Sequence, residues 1–129
     1  MTLQEILRTA RDLAPTLRAR ADEAEAARRM PDRTIEALVA SGILRICQPG
    51  TFGGSELGWD ALCEMTFELA AGDGSQAWVA NIYGEHGFLA ALFPEAAQRE
   101  IWGRGPDCLI SASIVPPGNA TGIGRGTSR

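Results

Sequence analysis

Residues 68–102 read ELAAGDGSQAWVANIYGEHGFLAALFPEAAQREIW, and from Gly74 to Gly84 no side chain carries a charge. A helix that is apolar on nearly every side must be covered on most of them. Gly72-Asp73-Gly74 supplies a turn before it, and Ser75 is a residue type suited to capping its start. Phe93-Pro94 ends the run, because proline cannot continue the hydrogen-bond ladder. A short helix is predicted over 94–102, closed by Gly103. This stretch sets the fold class as mainly α, with the uncharged helix surrounded by others.

On the N-terminal side, the apolar residues Leu3, Ile6, Leu7, Ala10, Leu13, Leu17, Ala21 and Ala24 form one stripe of a helix over Thr2–Arg29. Thr2 with Glu5 has the form of a capping box. Pro15 should kink or split this helix. The Arg and Glu residues on its far side read as a solvated face. Pro31 suits the first position of a second helix, which buries Ile35, Leu38 and Val39 and stops at Gly42. Ile43–Cys47 reads as a short extended run. It leads into the loop 48–58, where Gly50, Gly53, Gly54 and Gly58 permit tight turning. A third helix spans about 59–71, with Leu62, Met65, Phe67 and Leu69 on its apolar positions. Trp59 and Trp102 are placed as packing residues at helix ends, and core packing is also the plainer role for Trp78.

On the C-terminal side the texture changes at Pro106. Cys108–Val115 alternates small, polar and β-branched residues as a strand does, and Pro116-Pro117-Gly118 breaks it. A single strand has nothing to pair with. The expected organisation is a helical domain over 1–105, the start of an interrupted β-domain over 106–118, and an irregular tail over 119–129. The tail, rich in Gly and Arg without apolar periodicity, has the composition of an out-of-frame ending.

The bulk composition narrows the function classes. With 129 residues, 45% hydrophobic and 22% charged, the chain is one ordinary globular domain, neither disordered nor fibrous. A net charge of −4 and dispersed arginines argue against a nucleic-acid partner. No stretch resembles a signal peptide or a membrane span, so a cytoplasmic protein is expected. Cys47, Cys63 and Cys108 are odd in number and widely spaced, and read as reduced, buried thiols. His86 is the one histidine, which discounts a metal site. Gly53 and Gly54 match no phosphate-binding spacing and read as a turn.

The stretch 24–79, AEAARRMPDRTIEALVASGILRICQPGTFGGSELGWDALCEMTFELAAGDGSQAWV, resembles the N-terminal helical domain of the acyl-CoA dehydrogenase superfamily. Its carriers are ALVASGILRICQP (37–49), FGGSE (52–56) and ELAAGDGSQAW (68–78), in that order. The likeness extends over about 23–118. Acyl-CoA dehydrogenases follow this domain with a Thr-Glu-Pro segment and a Gly-Ser-Asp. Here the equivalent stretch, LISASIVPPGNA (109–120), has neither, and resembles instead the two-component flavin-dependent monooxygenases, as does WVANIYGEHGFLAALFPEAAQREIW (78–102).

That resemblance implies a homotetramer fed with reduced FMN or FAD by a separate flavin reductase, whose flavin C4a-hydroperoxide hydroxylates an aromatic or related small-molecule substrate. Such proteins add a middle β-barrel and a C-terminal helical bundle, so this chain by itself is expected to be an inactive fragment. The resemblance makes His86 the catalytic candidate, beside flavin and substrate, where imidazole accepts a proton near neutral pH. The plainer reading is a core histidine satisfied by hydrogen bonds. Ser113, and after it Ser111, are implied as flavin-binding hydroxyls; alternating serines also mark the polar face of any strand, and which one points inward depends on a one-residue register. Trp78, Asn81 and Tyr83 are the candidates for a substrate pocket. Two other readings remain: an acyl-CoA dehydrogenase domain, and a non-enzymatic helical module that docks its uncharged helix on a partner.

Overall fold

The computed structural model describes residues 1–112. They form α1 (Leu3–Ala19), α2 (Ala21–Ala27), α3 (Asp32–Ser41), α4 (Trp59–Ala70), α5 (Gly74–Ala91) and α6 (Glu95–Trp102), with short 3-10 turns at Ile43–Arg45 and Gly50–Phe52. The main layer runs α1 against α4 and α4 against α5, while α3 and the first 3-10 turn close the core from the side. Ile6, Leu17, Leu38, Ile43, Ile46, Leu62, Met65 and Leu69 are completely buried there. Among the described residues no helix is long and apolar enough to cross a membrane.

The Thr2–Glu5 capping box is formed. The helix break, however, falls at Arg20 and not at Pro15. Pro15 lies on the exposed side of α1, so the Arg11 carbonyl it deprives of a partner can turn to solvent and the helix runs on. Asp73, not Ser75, caps α5: its Oδ1 accepts from the Gln76 N–H at 2.8 Å. The helix starts at Gly74, so Ser75 is already inside the first turn. Pro31 and Pro94 likewise stand one position before the helices they introduce.

The α4–α5 turn is pressed onto α1. A Cβ on Gly72 would lie 2.1 Å from the Ala14 carbonyl oxygen, a backbone atom with nowhere to move, so only glycine allows the approach. Around it, Arg18 Nη2 donates to the Ala71 carbonyl at 2.9 Å, and the buried Gln76 donates through Nε2 to the Leu17 carbonyl at 2.9 Å. Further along, Gly84 sits so close to α4 that a Cβ would meet Leu62 Cδ1 at 2.6 Å.

The run 43–47 is not extended. Ile43–Arg45 is a 3-10 turn that drives Ile43 and Ile46 into the core. The following loop folds back on it through Ser55 N–H to Arg45 O, Glu56 N–H to Gln48 O and Leu57 N–H to Ile46 O, each about 3 Å. This pairing explains FGGSE: Gly53 has φ +83°, and a Cβ on Gly54 would stand 1.9 Å from the Gln48 carbonyl oxygen.

Three expectations about burial are corrected. Trp78 is 63% exposed, because the small residues Ala77, Ala80, Gly84 and Gly87 face the other helices and leave Trp78 on the opposite side of α5. Phe67, expected as an apolar contact of α4, is 79% exposed. Cys63 and Cys108 are exposed, and only Cys47 is buried. The strand expected over 108–115 is not formed where it can be followed: 108–112 pair with no neighbouring strand, and 113–115 lie outside the described residues. A ladder needs a partner strand, and the described chain supplies none.

Candidate functional site

His86 lies in the fourth turn of α5 and is 5% exposed. Its Nδ1 is 2.9 Å from the carbonyl oxygen of Ile110. What brings Ile110 there is the glycine loop. Pro106 packs against Gly53, where a Cβ would stand 3.2 Å from the proline Cβ. Arg45 Nε and Asp107 Oδ1 form an ion pair at 3.5 Å. Phe52 and Trp102 stack with ring centroids 5.4 Å apart and hold the end of α6 against the same loop. Trp59 meets Phe88 edge-on at 5.7 Å, so the tryptophan at the start of α4 braces α5 one residue beyond Gly87.

The six residues singled out in the sequence are not all brought together. Tyr83 precedes His86 by three positions, on the same side of the helix, and lines a small cavity with Val39, Leu44, Gln48 and the segment 106–109. That cavity measures about 20 Å³, room for a water molecule and not for an aromatic ring. Asn81 faces α4, its Oδ1 2.9 Å from Thr66 Oγ1. Thr66 Oγ1 is also 2.8 Å from the Leu62 carbonyl. One hydroxyl proton serves one of these, so an Asn81 amide turned to donate through Nδ2 satisfies both. Trp78 stands about 12 Å along the helix from His86 and points to solvent. Ser111 is exposed, and Ser113 lies outside the described residues.

A larger cavity of about 470 Å³ opens between α2 and the start of α5, lined by Arg28, Met30, Asp73, Gln76 and Val79 among others. None of the six candidate residues lines it. Cys47 is no nucleophile: burial first, then the neighbouring Asp60 and Cys63, push its thiol up to about 11. The residues that sequence reasoning missed are Ile110, which acts through its backbone, and the Arg45–Asp107 pair. A carbonyl leaves no side-chain signature, so nothing in the sequence marks Ile110.

The model of the acyl-CoA dehydrogenase N-terminal domain matches residues 2–105. The chain belongs to that family. Within the family it is 39% identical, over 89% of its length, to the flavin-dependent monooxygenase oxygenase subunit HsaA of Mycobacterium tuberculosis. It is 38% identical over 81% of its length to the oxygenase component of the FADH(2)-dependent resorcinol hydroxylase of a Rhizobium species. The crystal structure of the Mycobacterium tuberculosis HsaA monooxygenase superposes with a TM-score of 0.78 at 37% identity, covering 83% of this chain and 28% of that one. The chain spans 29% of the length of HsaA and 25% of the resorcinol hydroxylase component. The family's helical domain is thus what is in hand, with α5 and the glycine loop at its centre.

Proposed function

We propose that this acyl-CoA dehydrogenase-type domain is the N-terminal part of the oxygenase component of a two-component flavin-dependent monooxygenase acting on an aromatic or related small molecule. The observation that carries the reading is the identity, 39% over 89% of the chain, to a flavin-dependent oxygenase subunit. An oxygenase component of p-hydroxyphenylacetate 3-hydroxylase from Acinetobacter baumannii adds 32% over 88%. The dehydrogenase alternative has less behind it: the stretch 109–120 contains no carboxylate at all.

A flavin, when bound, supplies oxygen-activating chemistry that no side chain offers. The described residues do not enclose one. The cavity beside Tyr83 is far too small, and the larger cavity is lined by neither His86 nor Ser111. In this reading flavin binding, as FAD or FMN, belongs to the protein at its relatives' length. There Ser111 and Ser113 are hydrogen-bonding contacts, a separate reductase supplies reduced flavin, and the assembly is a cytoplasmic homotetramer. The 129-residue chain alone is inactive. His86 takes the proton of the substrate hydroxyl, and Tyr83, on its side of α5, keeps a place in the substrate pocket. Asn81, held by α4, and Trp78, turned away, do not.

The test is His86→Ala in a protein of the relatives' full length. Hydroxylation should fall roughly 10²-fold or more while flavin binding is retained. If oxygen consumption stays coupled to product as before, His86 has no such role. Hydroxylated product formed by the 129-residue chain with reduced flavin would overturn the fragment reading.

A further inference from the structure

A carbonyl oxygen accepts hydrogen bonds and cannot donate them. The 2.9 Å contact between His86 Nδ1 and the Ile110 carbonyl therefore requires the proton of the neutral imidazole to be on Nδ1. Its lone pair is then on Nε2. We propose that the Ile110 carbonyl is a positioning group that holds His86 in the Nδ1–H tautomer and presents Nε2 as the acceptor. The presentation to a substrate hydroxyl rests on the function proposed above; the tautomer does not.

Two further observations fit this assignment. Nε2 has no hydrogen-bond partner among the described residues, and the one contact of the ring there is Nδ1 on Ile110. The Ile110 carbonyl, for its part, does not hang on an unsupported segment. Pro106 on Gly53 and Asp107 on Arg45 anchor the residues leading to it, so the glycine loop and the histidine are mechanically linked through 106–110.

The chemistry follows directly. When a hydroxyl of the substrate gives its proton to Nε2, its oxygen keeps the bonding pair and the ring becomes an imidazolium. The positive charge spreads to Nδ1–H, and the hydrogen bond to Ile110 becomes charge-assisted and stronger. The opposite tautomer, with the proton on Nε2, would set a donor against that hydroxyl hydrogen and place two acceptors face to face at Ile110.

The chain has a single histidine, so its ring nitrogens can be assigned without ambiguity by ¹⁵N NMR on the 129-residue chain. In the neutral ring, Nδ1 should give the protonated, pyrrole-type signal and Nε2 the pyridine-type signal. The reverse pattern, which free imidazole side chains prefer in water, would overturn the proposal. As a second arm, ending the chain after Gly105 removes the carbonyl and should return His86 to the Nε2–H form; persistence of Nδ1–H would show that Ile110 is not the positioning group. Should the shortened chain not fold, a coupling across the hydrogen bond between His86 Nδ1 and the Ile110 carbonyl ¹³C in the whole chain decides: its detection supports the assignment and its absence overturns it. These readouts are independent of His86→Ala activity, so the tautomer and the proposed function can fail separately.

Discussion

The two ends of α5 are held in different ways. At its start, a glycine without room for a Cβ, an arginine on the Ala71 carbonyl and a buried glutamine on the Leu17 carbonyl bind the helix to α1. Near its end, His86 bonds the Ile110 carbonyl, Gln98 Nε2 donates to the Ala91 carbonyl at 2.9 Å and Phe88 meets Trp59 edge-on, with Leu92 and Phe93 left exposed. The first end is built from close backbone approach, which tolerates almost no change. The second is built from side-chain contacts around a buried histidine, which repacking can accommodate. The close approach of backbone to backbone lies at the end that carries no candidate chemistry.

The largest effect should come from breaking the first end. Gly72→Val puts a β-branched side chain against the Ala14 carbonyl, where even a Cβ would be at 2.1 Å. The cost should exceed the roughly 1–3 kcal/mol of ordinary overpacking, because backbone must shift; circular dichroism should show the cooperative melt lost or far lowered. An unchanged melt would mean that the turn is not packed on α1 as described.

Gln76→Ala should be milder, at about 0.5–1.5 kcal/mol, since it removes one hydrogen bond from the Leu17 carbonyl, which keeps the Arg20 N–H at 3.1 Å. Urea unfolding measures it. A loss below the error of the method would move the weight of this end onto Gly72 alone. The smallest perturbation leaves the fold intact and compares accessibility. A thiol reagent at about pH 8 should modify Cys63 and Cys108 promptly and spare Cys47, whose thiol at about 11 is ionised to only roughly one part in 10³ at that pH. Rapid modification of all three would show that the core around the 3-10 turn opens readily.

Much of the fold was legible in the residues. The apolar stripe of α1, the capping box, Gly42 as the stop of α3 and the absence of charge over 74–84 all located helices correctly, because helical period and capping are local properties. The misplacements were local choices settled by packing. Pro15 was free to stay helical because its side of α1 is wet. The apolar run 43–47 became a 3-10 turn because the glycine loop folds back on its carbonyls. Trp78 was expected inside, but its side of α5 is not the one lined by alanine and glycine.

The candidate site was legible only in part. A resemblance to known proteins pointed to His86, and no physical pattern in its neighbours would have done so. Its partner Ile110 lies 24 positions away and acts through a carbonyl that every residue possesses. By itself the sequence determined where helices form and which face of each is apolar, since those follow from spacing along one segment. Only the tertiary structure decided which carbonyl faces Nδ1 of His86, which glycines have no room for a side chain, and which large apolar side chains stay exposed. Those depend on the distance between segments far apart in the chain, and no local pattern encodes a distance.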